Sequence, residues 1–293
     1  MHDTERAQEA IGPVPDLSPD ELNARQRLRA ASAYVFDMDG VLYRGDAALP
    51  GVNDLLNALA IRDKGFMLAT NNSMATPADY VRKLGGMGIR VDEESILTSA
   101  MATRDYLRET LPAGAGLFVV GMPALREQLF RDTDFQPVQY GEEIPAAVVV
   151  GLDRTFTYEK LTLANEAIRA GARFIATNAD ATLPTEAGLV PGCGSIVAAI
   201  ATASGQLPTV IGKPEPLILQ MALERLGADP AHAVMIGDRL DTDVVAGARA
   251  GMLTVLVLTG VSTRDEIAHS PVLPDLVFTD LNAVLEALVV ADD

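Results

Sequence analysis

Ala33-Tyr34-Val35-Phe36-Asp37-Met38-Asp39-Gly40-Val41-Leu42-Tyr43 is the stretch around which the chain is organised. Tyr34, Val35 and Phe36 form a short apolar run that predicts a buried strand, and the run delivers two carboxylates, one residue apart, into a glycine-containing loop. Open α/β sheets keep their active sites at the carboxyl ends of their strands. Adjacent carboxylates repel and must be held by a cation, by hydrogen bonds or by a shared proton, so packing alone rarely selects them directly after a core strand. Taken by itself, the pair reads equally well as a site and as a strand ending in a polar turn, with Asp39-Gly40 as the turn residues. The rest of the chain decides.

Downstream, Val52, Leu55, Leu56, Leu59 and Ala60 recur at helical spacing, and Gly65 supplies a C-cap signal. Phe66-Met67-Leu68-Ala69 is a second apolar strand, and it too ends in small polar residues, Thr70-Asn71-Asn72-Ser73. Thr76-Pro77 opens another helix, and Ile96-Leu97-Thr98 followed by a helical stretch over 100–111 continues the alternation. Strand and helix in alternation predict a parallel sheet. Pro112-Ala113-Gly114-Ala115-Gly116 then marks a boundary. Beyond it a second α/β unit has strands at 117–120, 147–150 and 173–176 and ends near Ser204-Gly205; from Val210 the alternation resumes and can complete the first sheet. The expected fold is α/β, a Rossmann-like parallel-sheet core with a second α/β domain inserted in it. Upstream, Ser18-Pro19-Asp20-Glu21 has the form of a capping box and predicts a short helix behind a disordered tail.

Composition narrows the function. The 293 residues exceed one ordinary domain. A net charge of −17 repels nucleic acid and anionic membrane surfaces, and the first residues form neither a signal peptide nor a membrane span. The single cysteine, Cys193, excludes an internal disulfide and a multi-cysteine zinc site, which suits a reducing compartment, the cytoplasm. His2, His232 and His269 lie far apart and give no support to histidine-based chemistry.

Two further segments bear on the site. Ile211-Gly212-Lys213-Pro214-Glu215-Pro216 sets a lysine in a rigid loop before a helix over 217–226; such a lysine is usually a solvated charge. Ala233-Val234-Met235-Ile236 is a strong strand that discharges into Gly237-Asp238-Arg239-Leu240-Asp241-Thr242-Asp243. In a parallel sheet, the strand ends carrying Asp37 and Asp39, Thr70 and Asn71, and Asp238 emerge at one edge. Carboxylates that converge there suit Mg2+, which takes one or two carboxylates together with waters and phosphate oxygens. A metal site beside a lysine and hydroxyl or amide donors describes a place for a phosphoryl group. Asp37 is then the candidate nucleophile and Asp39 the general acid and base.

In combination, Asp37-Met38-Asp39-Gly40-Val41, Thr70-Asn71-Asn72-Ser73, Gly212-Lys213-Pro214 and the segment from Gly237-Asp238 to Asp243 resemble the four motifs of the haloacid dehalogenase superfamily of phosphatases. More narrowly, the chain is similar to the subgroup of p-nitrophenyl, pyridoxal and phosphoglycolate phosphatases, in which a large α/β cap lies between the second and third motifs. By its residues, the chain divides into a tail and short helix over 1–28, core over 29–111, cap over 112–205 and core again over 206–293. The resemblance implies Asp37 as nucleophile and metal ligand, Asp39 as acid and base with its carbonyl on the metal, and Asp238 as a further ligand. Asp243 would hydrogen-bond metal-bound water, Thr70, Asn71 and Asn72 would hold phosphoryl oxygens, and Lys213 would neutralise aspartate and phosphate. Asp241 reads as a solvated turn residue. In the cap, Asn178 and Asp180 follow a strand as the core residues do and are candidates to contact the leaving group; an Asn and Asp turn before a helix is nearly as good a reading.

The implied activity is magnesium-dependent hydrolysis of a small phosphorylated metabolite through an aspartyl phosphate. Cap closure over the site, with Gly114, Gly116 and Gly205 as hinges, would exclude water. An exposed strand edge would admit a homodimer through the cap. A receiver-like signalling domain shares the acids, threonine and lysine but has no reason for a large insertion. A carbon–halogen hydrolase needs neither Asp39 nor a metal site, and a catalytically silent phosphate-binding protein would be expected to lose one of these groups.

Overall fold

The computed structural model describes residues 18–139, 143–185 and 188–289; the expected tail falls outside them. Six parallel strands form the core sheet in the order Leu276–Phe278, Leu253–Val257, Ala233–Gly237, Ala33–Phe36, Gly65–Thr70, Ile96–Thr98. Every residue of Ala33–Phe36 and Ala233–Gly237 is buried, as a parallel sheet covered on both faces requires. Successive side chains alternate between two apolar layers: Tyr34 and Phe36 join Val234 and Ile236 on one face, while Ala33 and Val35 join Ala233 and Met235 on the other. The chain places its first two following strands on one side of Ala33–Phe36 and returns, after the insertion, to the other. The order therefore reverses between Ala33–Phe36 and Ala233–Gly237, where an open α/β sheet has its crevice.

Local signals act largely as read. Ser18 caps Pro19–Ala30 by accepting from the Glu21 N–H, and a reciprocal Thr76–Asp79 capping box starts Pro77–Gly86. Gly65 does not cap a helix. The helix Val52–Ile61 ends at Arg62, Asp63 adopts φ 55°, and Gly65 opens the next strand by donating to the Ser32 carbonyl at 2.9 Å.

The inserted unit is a second parallel sheet, in the order Thr209–Val210, Arg173–Ala176, Ala147–Val150, Gly116–Val120, Gln136–Pro137. It extends past the expected boundary at 205, because Thr209 and Val210 pair with Ile175 and Ala176 on the open edge of this sheet. Gly205, in the left-handed conformation, only closes the helix Cys193–Ser204. A helix C-cap looks the same within a domain as at its border, so the glycine misplaces the crossing.

One face of the cap sheet, with Leu117, Val119, Val149 and Ile175, belongs to the same apolar cluster as Val35, Met67, Leu97 and Ile218 of the core. Between the helices Ser99–Thr110 and Pro123–Phe130, the Thr98 hydroxyl donates to Gln128 Oε1 at 2.6 Å, and Gln128 Nε2 donates to the Ala75 carbonyl at 3.1 Å. The cap is thus packed onto the core along an apolar seam rather than carried on glycine hinges alone. Among the described residues, no helix is long and apolar enough to cross a membrane.

Candidate active site

The first strand does not end at its last apolar residue: the Asp37 N–H still donates to the Ile236 carbonyl, at 2.9 Å, so the backbone that bears the carboxylate is part of the sheet. Lys213 reaches this carboxylate from 176 residues away, with Nζ 2.5 Å from Asp37 Oδ1. The same Nζ lies 2.7 Å from Asp243 Oδ1 and donates to the Ala69 carbonyl at 3.1 Å. Lys213 is only 1% exposed, so it is no solvated loop charge. A buried ammonium needs charge partners and hydrogen bonds, and these three oxygens provide them. The flanking carboxylates hold its pKa above the ordinary lysine value against the opposing effect of burial.

Asp238 ends the neighbouring strand. Its Oδ2 accepts from the Val261 N–H at 2.7 Å, whereas Oδ1 is buried with no hydrogen-bond partner. Asp243 follows within a π-helical turn, Leu240–Val244, and its Oδ2 accepts from the N–H groups of Asp238 and Arg239, each at 3.1 Å. The turn points Asp243 back at the strand end instead of outward. One oxygen from each of Asp37, Asp238 and Asp243 lies within 4.8 Å of the others.

Without a cation this cluster holds its protons tightly. Burial pushes Asp37 up to about 7, with Asp243 adding to the rise and Lys213 opposing it. Burial pushes Asp238 up to about 8, with Asp243 and Asp37 reinforcing it. Three carboxylates around one lysine leave negative charge uncompensated, and Asp238 Oδ1 is an orphaned buried acceptor. An all-oxygen donor set of this kind fits a hard divalent cation.

Asp39 is exposed and lies outside the cluster. Its backbone bridges to Tyr43. Partial desolvation raises its carboxyl, opposed by the positive charges of Lys83 and Arg44.

At the second strand end the expected phosphoryl-holding residues bond to one another and to the cap. Thr70 is buried, and its hydroxyl oxygen accepts from the Asn72 N–H at 3.1 Å; Asn72 Oδ1 in turn accepts from the Met74 N–H at 2.8 Å. The Asn72 side-chain oxygen thus stabilises its own loop, the usual use of asparagine in turns. Asn71 Nδ2 donates to the Lys213 carbonyl at 2.8 Å and to both carboxylate oxygens of Asp180 at 3.2 Å. Its carboxamide therefore couples the lysine loop to the cap.

Asn178 is buried, with Nδ2 donating to the Asn71 carbonyl at 2.8 Å and Oδ1 accepting from the Asp180 N–H at 3.1 Å. Both of its polar atoms are engaged within the protein. Asp180 is half-buried at the seam, its carboxyl raised by burial against the Asn71 hydrogen bonds and the charge of Arg239. The glycine turn at 192–194 braces this residue: the Gly194 N–H donates to the Asp180 carbonyl at 2.8 Å. Cys193 is a buried packing residue whose thiol burial pushes up to about 12.

Sequence reading missed three contributors. The Ser99 hydroxyl donates to the Asn71 carbonyl at 2.6 Å, Arg239, ion-paired to Asp241 at 2.9 Å, adds positive charge that opposes the rise of the Asp180 carboxyl, and the loop after Leu253–Val257 touches Asp238. The last had a readable signal, because that strand is also apolar and also ends at the active edge.

The haloacid dehalogenase-like hydrolase family model matches residues 34–136, and the HAD-hydrolase-like model matches 210–284. An acid sugar phosphatase from Staphylococcus aureus is 39% identical over 261 residues, 89% of this chain and 99% of its own. The chain belongs to the haloacid dehalogenase-like hydrolases, in their phosphatase branch. A solved 4-nitrophenylphosphatase from Thermotoga maritima superposes on this phosphatase with a TM-score of 0.83 at 36% identity, covering 89% of this chain and 99% of the other. A glycerol phosphate phosphatase from Mycobacterium tuberculosis, solved in complex with magnesium, gives a TM-score of 0.81 at 33% identity, covering 88% and 77%. The two family models flank most of the cap, which is the unit that sits between the second and third motifs of this phosphatase.

Proposed function

We propose that this phosphatase hydrolyses a small phosphate monoester, with magnesium, through an aspartyl phosphate on Asp37. The observation that carries the reading is the Asp37 carboxylate at the switch point, ion-paired to a fully buried lysine and set among two further carboxylates. Asp37, Asp238 and the Asp39 carbonyl would hold the magnesium, and Asp243 would hydrogen-bond water on it. When bound, magnesium neutralises the three carboxylates and polarises the phosphoryl oxygens.

A phosphate monoester brings roughly 1.5–2 negative charges to a site that is already acidic, so Lys213 must offset charge on both Asp37 and the arriving phosphoryl group. Asp37 attacks phosphorus while the bond to the leaving oxygen breaks, and Asp39 gives that oxygen a proton. Asp39, now a carboxylate, accepts a proton from water as the water attacks the aspartyl phosphate, releasing inorganic phosphate and restoring Asp37. Its raised pKa suits both halves of this exchange.

Asp180 faces the site from the cap, and its carboxylate would accept hydrogen bonds from hydroxyls of a sugar or polyol leaving group while disfavouring a second anion. The relatives named acid sugar phosphatase and glycerol phosphate phosphatase support that class. The buried, unpaired Cys193 suits the cytoplasm, and the exposed Leu189 on the antiparallel pair Thr182–Thr185 and Gly188–Pro191 of the cap supports a homodimer through the cap. A screen of sugar phosphates, glycerol phosphate, phosphoglycolate, pyridoxal phosphate and nucleotides, with magnesium or with chelator, tests the reading. Polyol phosphates should lead, activity should vanish in chelator, and Asp37→Asn should fold yet lose at least about 10³-fold in turnover. Full turnover by Asp37→Asn would sink the mechanism.

A further inference from the structure

The strand Leu253–Val257 adjoins Ala233–Gly237 in the core sheet, so the loop that follows it opens at the same edge as the acid cluster. Four residues there, Thr259-Gly260-Val261-Ser262, close around Asp238. The Val261 N–H donates to Asp238 Oδ2 at 2.7 Å, and the Ser262 N–H donates to the Asp238 carbonyl at 3.0 Å. The Ser262 hydroxyl oxygen accepts from the Leu240 N–H at 3.0 Å, which ties down the start of the turn bearing Asp243. The Thr259 hydroxyl donates to the Gly40 carbonyl at 2.6 Å and so fastens the same loop to the Asp39 segment.

Two glycines make this closure possible. A Cβ on Gly260 would lie 1.8 Å from Asp238 Oδ2, and a Cβ on Gly40, which has φ 85°, would lie 2.5 Å from the same oxygen. Backbone from two loops can approach one carboxylate oxygen this closely only where side chains are missing. The other oxygen, Oδ1, is buried and has no hydrogen-bond partner.

We propose that Thr259-Gly260-Val261-Ser262 is a positioning element of the metal site, a fifth segment that occupies one oxygen of Asp238 and presents the other alone. The proposal rests on the reading of Asp238 as a magnesium ligand. A carboxylate limited to one oxygen suits magnesium, which demands compact octahedral geometry, over calcium, which takes more ligands at longer distances and accepts bidentate carboxylates. The loop is therefore a selectivity device as well as a brace.

Calorimetric titration of the full-length protein with magnesium and with calcium, in the absence of substrate, tests this. Ser262→Ala and Gly260→Ala should each weaken magnesium binding by about tenfold or more, the range seen for residues that orient metal ligands. Calcium binding should weaken less, so the ratio of magnesium to calcium affinity falls. If these variants only lower the metal-free melting temperature and keep the wild-type ratio, the loop is a structural brace and the proposal is overturned. Should Gly260→Ala fail to fold, Ser262→Ala decides by the same ratio. Asp238→Asn separates the layers: magnesium binding lost in that variant but unchanged in Ser262→Ala and Gly260→Ala overturns the positioning role alone. Wild-type magnesium affinity in Asp238→Asn overturns the ligand reading and the proposal together.

Discussion

The acid cluster of the core and the polar seam of the cap both sit at the ends of parallel strands, yet they use their side chains in opposite ways. In the core, Asp37 and Asp243 pair with one lysine while Asp238 clusters beside them, which keeps negative charge in excess with the Asp238 Oδ1 left without a hydrogen-bond partner. In the cap, Asn178 engages both of its polar atoms with protein partners, and Asp180 is met by the Asn71 amide. A polar group already satisfied by the protein stabilises a geometry, whereas one held unsatisfied is available for a ligand. The difference assigns chemistry to the core and alignment, with a share of recognition, to the cap.

Lys213→Met should break the core half of this comparison most severely. Removing the ammonium leaves two buried carboxylates facing each other, and loss of one partner of a buried ion pair costs about 3–5 kcal/mol. Activity should fall to background, and denaturant unfolding should register the loss. A stability within about 1 kcal/mol of wild type, a difference of about fivefold in the folding constant, would refute the charge-pairing argument.

Asp39→Asn should separate the acid from the nucleophile. Turnover of sugar and polyol phosphates should drop by about 10²–10⁴-fold, the usual contribution of a positioned general acid, with a smaller loss of aspartate phosphorylation from nitrophenyl phosphate. Equal losses for good and poor leaving groups would remove Asp39 from that role.

The excess charge of the core also has a sign in pH. Asp37 and Asp238 titrate near 7 and 8 in the folded protein, above the ordinary 3.8, so the folded state holds protons that the unfolded state has released. Their contribution to stability is therefore present below about pH 4 and declines as pH rises to about 8. Lys213, with its raised pKa, is charged in both states throughout this window and adds no slope. Metal-free protein should melt several degrees lower at pH 8 than at pH 5, and magnesium should restore more at pH 8, where it does not compete with protons. Scanning calorimetry with chelator and with magnesium reads both; a metal-free melting temperature that rises over that range would contradict the uncompensated cluster.

The smallest effects belong to the cap, and there the two polar residues should part company. Asn178→Ala should cost about 1–3 kcal/mol by removing the acceptor of the Asp180 N–H and one of the two donors to the Asn71 carbonyl, with the substrate ranking kept. Asp180→Ala should leave stability within about 1 kcal/mol and re-order the ester screen, admitting leaving groups with a second negative charge. If Asn178→Ala re-orders substrates and Asp180→Ala does not, the assignments are reversed.

Much of the architecture was legible residue by residue. Parallel strands buried on both faces must be continuous apolar runs, and 147–150, 173–176 and 217–226 stand in the structure where the patterns put two strands and a helix. Capping chemistry is equally local, which is why Ser18 and Thr76 announce their helices. Asp37 and Asp238 could be singled out because strand ends of one sheet share an edge, and Lys213 by its place in a rigid loop before a helix.

What remained hidden depends on groups far apart in sequence. That Lys213 is buried rather than solvated is decided by Asp37, 176 residues earlier, and by the fold that closes over both. The Asn71 amide finds its acceptor in Asp180, 109 residues later. Thr209 and Val210 are too short a run to declare a strand, and only the open edge of the cap sheet makes them one. Gly260 reads as an ordinary loop glycine until Asp238 is placed against it. Sequence determined which side chains stand at the strand ends, because buried strands and capped helices are local chemistry; the tertiary structure decided which of them meet, because burial and charge pairing are properties of neighbours in space.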